Sequence, residues 1–120
     1  MDIKKVLVVD DEKGIADTLV LILNESGFEA RAAYDGKNAI REVLASCPEI
    51  LLSDVVMPGV NGVEAAKLAL GHCPELRVIL FSGQAASLDL VDKANEAGFH
   101  FQLLAKPIEP EDLIAALREA

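Results

Sequence analysis

The stretch KKVLVVDDEKGIA, Lys4–Ala16, carries a run of apolar residues straight into two aspartates and a glutamate. Val6, Leu7, Val8 and Val9 show no polar alternation, which is the mark of a short strand buried on both faces, as in a parallel sheet. Asp10 and Asp11 then stand at its carboxyl end, where like charges repel and desolvation penalises each of them. Acids gathered at the mouth of a core imply that something positive is expected there.

Working outward, the same theme repeats. Apolar runs at Lys5–Val9, Glu29–Ala33, Ile50–Ser53, Arg77–Phe81 and Phe99–Leu104 alternate with helical patterns, so the 120 residues read as five βα units. The second run is the least apolar and suits a sheet edge; the third, fourth and fifth read as more central or better covered. Ile15, Leu19, Ile22 and Leu23 recur at helical spacing before Gly27. Gly36–Ala45, Val63–Leu70 and Leu88–Ala97 give three further helices, the last two closed by Gly71 and Gly98, and Pro110 opens a final helix reaching Arg118. The expected fold is a single doubly wound, flavodoxin-like α/β domain over residues 1–120, with strand order 2-1-3-4-5. Its ligand site should lie beyond the carboxyl ends of the first and third strands.

Composition narrows the function. The chain is 52% hydrophobic with a formal net charge of −9, which suits a compact domain and would repel a phosphate backbone, so no direct nucleic-acid binding is expected. No apolar run approaches the ~20 residues of a membrane span, and the first residues lack a signal-peptide core, so a cytoplasmic location without membrane contact is expected. Cys47 and Cys73, in SCPEILLS and HCPELRVI, should lie on loops at the amino ends of neighbouring strands. A reducing compartment favours reading them as two partly buried thiols, and without a clustered histidine they are too few for a zinc site. His72 and His100 read as surface or packing residues.

The strand ends carry the chemistry. Asp54 follows EILLS and precedes a turn with Pro58, Gly59 and the pair Asn61-Gly62, so three carboxylates, Asp10, Asp11 and Asp54, converge. Hard oxygen donors with room for water are what Mg²⁺ prefers. Ser82 follows the fourth strand in VILFSGQ, and Lys106 follows the fifth in LLAKPIE, where the lysine can pair with Asp54 and the hydroxyl can donate to the same group. Singly, each residue has a bland explanation as a helix cap, a loop hydroxyl or a solvated amine; jointly, on four strand ends, they make a site.

With VLVVDDE, SDVVMPGVNG, FSG and AKP in order, the sequence resembles the receiver domain of bacterial two-component response regulators over nearly its whole length. The resemblance implies that Asp54 accepts a phosphoryl group from a sensor histidine kinase or phosphotransfer protein. It implies Mg²⁺ held by Asp11, Asp54 and the backbone carbonyl of Val56, with Asp10 acting largely through water. Ser82 and Lys106 would contact the phosphoryl oxygens. Gly14, Ile15 and Thr18 would form the kinase-docking rim. Output would pass through the face of the fourth helix, fifth strand and fifth helix to an effector domain or protein, as a monomer or a phosphorylation-dependent dimer.

The family's strand-five aromatic is replaced here by Leu103, leaving Phe101 as the nearby aromatic. Such a domain signals rather than turning over a substrate, although it assists its own phosphotransfer and dephosphorylation. An aspartyl-nucleophile phosphatase would need an acid where Val56 stands, and a flavin module would need a phosphate-binding loop where DDEKG stands. A receiver-like interaction module with weakened switching is the remaining alternative: only the Leu103 departure speaks for it, and intact Asp10, Asp11, Asp54, Ser82 and Lys106 speak against it.

Overall fold

The computed structural model describes residues 3–84 and 86–119. Five strands, β1 (Lys5–Val9), β2 (Glu29–Ala33), β3 (Ile50–Asp54), β4 (Arg77–Ser82) and β5 (Gln102–Ala105), alternate with five helices. The helices are α1 (Lys13–Glu25), α2 (Gly36–Ala45), α3 (Gly62–His72), α4 (Ala86–Glu96) and α5 (Pro110–Glu119). All strand pairs are parallel and their order is β2-β1-β3-β4-β5. This is the expected doubly wound architecture.

Strand periodicity divides the core into two layers. Leu7, Val9, Leu51, Val78 and Leu80 join one buried cluster with residues of α2, α3 and α4. Val6, Val8, Ile50, Leu52 and Ile79 join the other, with residues of α1 and α5. Side chains alternate across a strand, so a run apolar at every position is what a sheet covered on both faces needs. Each fully buried Leu or Val contributes on the order of 1.5–3 kcal/mol relative to exposure.

Several local expectations are corrected. Gly71 does not end α3, which runs through it to His72 and closes where the Cys73 N–H donates to the Ala69 carbonyl at 2.7 Å. Asn61 is the N-cap of α3, its side chain accepting from the Glu64 N–H at 2.9 Å, rather than half of a free turn pair. The fifth strand starts at Gln102, not Phe99; as the order 2-1-3-4-5 implies, it forms the second sheet edge, and it is only partly covered rather than better covered than the other edge. Phe101 is buried before it because Asn95 of α4 takes its backbone: the Phe101 N–H donates to Asn95 Oδ1 at 2.9 Å, and Asn95 Nδ2 donates to the Phe101 carbonyl at 3.2 Å.

Cys47 and Cys73 are joined by a disulfide, with Cα atoms 6.0 Å apart, instead of standing as two thiols. Their loops are adjacent, as expected, because β3 and β4 pair from Ile50 and Arg77 onward. A histidine also clusters with them: a ring nitrogen of His72 lies within 4.8 Å of both sulfurs, contrary to the expectation that no histidine is near. No helix among the described residues is long and apolar enough to cross a membrane.

Candidate functional site

The carboxyl edge of the sheet brings the strand-end residues together. Asp10 follows β1 and is fully buried; its Oδ1 accepts from the Glu12 N–H at 3.0 Å. Asp11 is exposed beside it, and Asp54, the last residue of β3, is buried. Carboxylate oxygens of all three lie within 4.8 Å of one another. Lys106 directly follows β5 and is joined to Pro107 by a cis bond; its Nζ lies 3.3 Å from Asp10 Oδ2 and 3.2 Å from Asp54 Oδ2. Its position is set by the sheet edge, where the Lys106 N–H donates to the Ser82 carbonyl at 3.0 Å. The ammonium also sits 5.0 Å from the ring centroid of Phe81, an apolar floor from β4 whose role nothing in the sequence pattern announced.

Asp54 is held by its backbone as well. The Ser53 hydroxyl donates to the Asp54 carbonyl at 2.9 Å, and the Gly62 N–H donates to the Val55 carbonyl at 2.8 Å. A Cβ at Gly62 would run into the Asp54 carbonyl oxygen, so only glycine lets α3 begin this close to the end of β3. The connecting loop carries Val56, which lines a cavity of about 550 Å³ with Asp11, Asp54, Ser82 and Lys106.

Ser82 is buried, and its hydroxyl is engaged by the start of α4: Ser87 Oγ lies 2.7 Å away and the Gln84 N–H donates to it at 3.0 Å. Ser87 is a site residue that no strand-end motif points to. The signal was present, since Ser87, Val91 and Ala94 share the buried face of α4 at helical spacing, and a serine on such a face needs a polar partner. Leu103 and Phe101 belong to the same core layer, Phe101 buried within it and Leu103 packed against it. Phe99 stacks on Phe101 with centroids 5.3 Å apart. On the rim, Gly14 and Thr18 are exposed and Ile15 is half-buried, the Thr18 hydroxyl donating to the Gly14 carbonyl at 2.7 Å.

Electrostatics follow from this packing. Burial pushes the Asp54 carboxyl above its ordinary value, the Lys106 charge pulls it back, and Asp10 and Asp11 push it up again. Partial burial would lower Lys106, but the Asp54 and Asp10 charges outweigh it and hold the ammonium above its usual range. A carboxyl raised on folding binds protons more tightly folded than unfolded, so its ionisation subtracts stability as pH rises above the ordinary carboxylate value of 3.8. Asp54→Asn should therefore stabilise the protein at pH 7 in the presence of a chelator. A gain of about 1 kcal/mol would raise Tm by roughly 4 °C in a domain of this size. Thermal unfolding measures it, and a lowered Tm would mean that the Lys106 pairing outweighs burial and repulsion.

A doubly wound sheet with three acids, one lysine and one hydroxyl gathered at its switch point defines an α/β domain with an acidic pocket at the carboxyl edge of its strands. The chain belongs to the response regulator receiver domain family, which matches residues 6–118. It resembles a CheY-like receiver domain protein from Methanospirillum hungatei JF-1, with 27% identity, TM-score 0.89 and coverage of 98% of this chain and 93% of that one. Against the chemotaxis protein CheY4 of Vibrio cholerae the values are 26% identity, TM-score 0.87 and 98% coverage of each chain. A two-component transcriptional regulator AraC from Clostridium phytofermentans ISDg shares 34% identity, with TM-score 0.84 and coverage of 97% of this chain and 91% of that one. The family is a signalling domain of two-component systems rather than a conventional enzyme.

Proposed function

We propose that this receiver domain takes a phosphoryl group on Asp54 from a phosphohistidine of a sensor kinase, with Mg²⁺ as cofactor, and relays the change to an effector. The observation that carries this reading is the Lys106 ammonium bridging Asp10 and Asp54 where three carboxylates meet. Three acids against one ammonium leave the pocket negative, and its donors are all oxygen with one carboxylate exposed. That donor set fits Mg²⁺, which Asp11, Asp54 and the Val56 carbonyl would hold directly and Asp10 through water. When bound, the ion supplies neutralisation of the phosphoryl oxygens.

The chain's own groups do the rest. A carboxylate is a nucleophile without a hydroxyl proton to lose, so Asp54 needs no general base, and the Lys106 charge beside it favours the ionised form. Its oxygen bonds to phosphorus as the bond to the donor imidazole breaks, the electron pair returning to that nitrogen. Lys106 exchanges a carboxylate oxygen for a phosphoryl oxygen, and Ser82 donates a hydrogen bond to another. The same groups present the acyl phosphate to water, so the domain shortens its own phosphorylated state. Gly14, Ile15 and Thr18 stand on the rim where a kinase helix would dock.

A small phosphodonor with Mg²⁺ should add one phosphoryl group to the chain, and Asp54→Asn should abolish the addition. Intact-mass measurement reads both, and equal labelling of the variant would remove Asp54 from this role.

The relay starts where Ser82 is engaged. Turning its hydroxyl toward a phosphoryl oxygen costs the bond to Ser87, which releases the first turn of α4 without any aromatic rotation. Leu103 can repack, whereas Phe101 is anchored through Asn95 and acts as a fixed wall. A ligand shifts two states only by its differential interaction with them. The coupling is accordingly placed near the low end of the usual ~1–3 kcal/mol. Hydrogen exchange with and without a phosphoryl mimic should show its largest change over residues 86–91 and a smaller one in β5. Changes confined to β5 would contradict a relay through Ser87.

A further inference from the structure

The pole opposite the acidic pocket holds a second group of metal-ligating side chains that phosphoryl transfer does not use. Cys47 leads into β3, Cys73 caps the end of α3, and His72 is the last residue of that helix; one ligand atom from each lies within 4.8 Å of the others. Cys47 and His72 are exposed while Cys73 is buried, so the cluster is anchored at one side and open at the other. The three line a cavity of about 680 Å³ that Glu49 and Glu75 also border. The rise along β3 alone, about 13 Å over its four steps, separates this cluster from the Asp54 end.

We propose that Cys47, His72 and Cys73 form a redox-gated site that binds Zn²⁺ when the cysteines are reduced and cannot when they are joined. Thiolate and imidazole donors are the ligand class that Zn²⁺ takes, at about 2.3 and 2.0–2.1 Å. Two thiolates sharing a tetrahedral ion at that bond length stand about 3.8 Å apart, a separation that rotation of the side chains reaches from Cα atoms 6.0 Å apart. Two thiolates and a neutral imidazole balance the dication, so buried Cys73 carries no uncompensated charge into the interior. The cluster also lies at the carboxyl end of α3, where the helix dipole favours a cation. Water or one of the bordering carboxylates completes the fourth position.

Gating follows from valence. A low-molecular-weight disulfide accepts two electrons from the paired cysteine sulfurs: the Cys47–Cys73 bond forms, the reagent's own S–S bond breaks, and its two sulfurs leave as thiols after taking up two protons. Both sulfurs lose their thiolate charge, and the ion is released as Zn²⁺ with no change in its own oxidation state.

The reduced 120-residue chain, with Mg²⁺ in excess to occupy the carboxylate pocket, should bind one equivalent of Co²⁺ with an intense sulfur-to-cobalt charge-transfer band. One equivalent of Zn²⁺ should bleach it. Cys47→Ser should lose at least half of the band, and His72→Ala should keep it while weakening binding by about tenfold or more. Both positions are exposed, so the variants should retain the fold, which circular dichroism checks. Treatment with the oxidant should lower the free-thiol count from two to none and abolish the band. Absence of a charge-transfer band in reduced protein, or an unchanged affinity in His72→Ala, would overturn the proposal.

Discussion

Lys106→Met should cost about 2–3 kcal/mol of stability at pH 7 and slow labelling by a small phosphodonor about 10²–10³-fold. The ammonium lies between Asp10 Oδ2 and Asp54 Oδ2, and Asp10 is fully buried. Without the lysine, two close carboxylates face each other with no cation between them. Breaking a buried pair by removing one partner commonly costs 3–5 kcal/mol, and the Lys106 side chain is 22% exposed, so the lower figure applies. The pH dependence distinguishes this from lost packing. In the variant the Asp54 carboxyl, raised by burial, loses the lowering effect of the Lys106 charge and binds its proton still more tightly folded than unfolded, so the deficit should shrink as pH falls toward the ordinary carboxylate range. In the unsubstituted protein the Lys106 contribution, raised above 10.5 on folding, is complete below that value and lost as pH rises through the folded one. Denaturant unfolding across pH measures both. Adding Asp10→Asn to Lys106→Met should recover most of the lost stability but little of the labelling rate. A pH-independent deficit would assign Lys106 a packing role.

The fold was legible where one physical demand acts on consecutive residues. Val6 to Val9 had to be apolar throughout because the sheet buries both faces, and the carboxyl-end acids, Ser82 and Lys106 follow from where parallel strands stop. Legibility failed where tertiary bonds replace local ones. Phe99 and Phe101 signal burial, which the apolar run reported correctly. The Phe101 N–H and carbonyl go to Asn95 instead of a strand ladder, so β5 begins after them. Gly71 has no atom within 4 Å of a would-be Cβ and no left-handed backbone, so it costs α3 about 1 kcal/mol without ending it. The Ser82–Ser87 pair and the Phe81 floor depend on how α4 and β4 lie against the pocket, which no spacing rule states. For the cysteines the geometry was readable and the chemistry was not. Neighbouring strands put their loops side by side, but the choice of free thiols rested on an expected compartment rather than on distance.

Reducing the Cys47–Cys73 disulfide in the presence of a chelator should cost about 3.5 kcal/mol, because the bond closes a loop of 26 residues and restricts the unfolded chain. In a domain of this size that corresponds to a fall in Tm of roughly 10–15 °C. The closed loop contains β3, Asp54 and α3, so the covalent link encircles part of the acidic pocket in sequence while lying at the far end of β3 in space. If the link acts on the unfolded chain, the folded pocket is the same with and without it. Phosphodonor labelling and its Mg²⁺ dependence should then be unchanged at a temperature where both forms are folded. Cys47→Ser tests the point without disturbing the core, since Cys47 is exposed while Cys73 is buried; its Tm should match that of the reduced, metal-free protein. Zn²⁺ adds a second discrimination. An ion bound only by the folded, reduced protein stabilises it by RT ln(1 + [Zn²⁺]/Kd), so it should restore part of the lost Tm in the reduced chain and distinctly less in Cys47→Ser, which keeps one thiolate and the imidazole. An unchanged Tm on reduction would show that the bond contributes nothing to stability. A changed labelling rate would show instead that the bond shapes the pocket itself, with strain carried along β3 to Asp54.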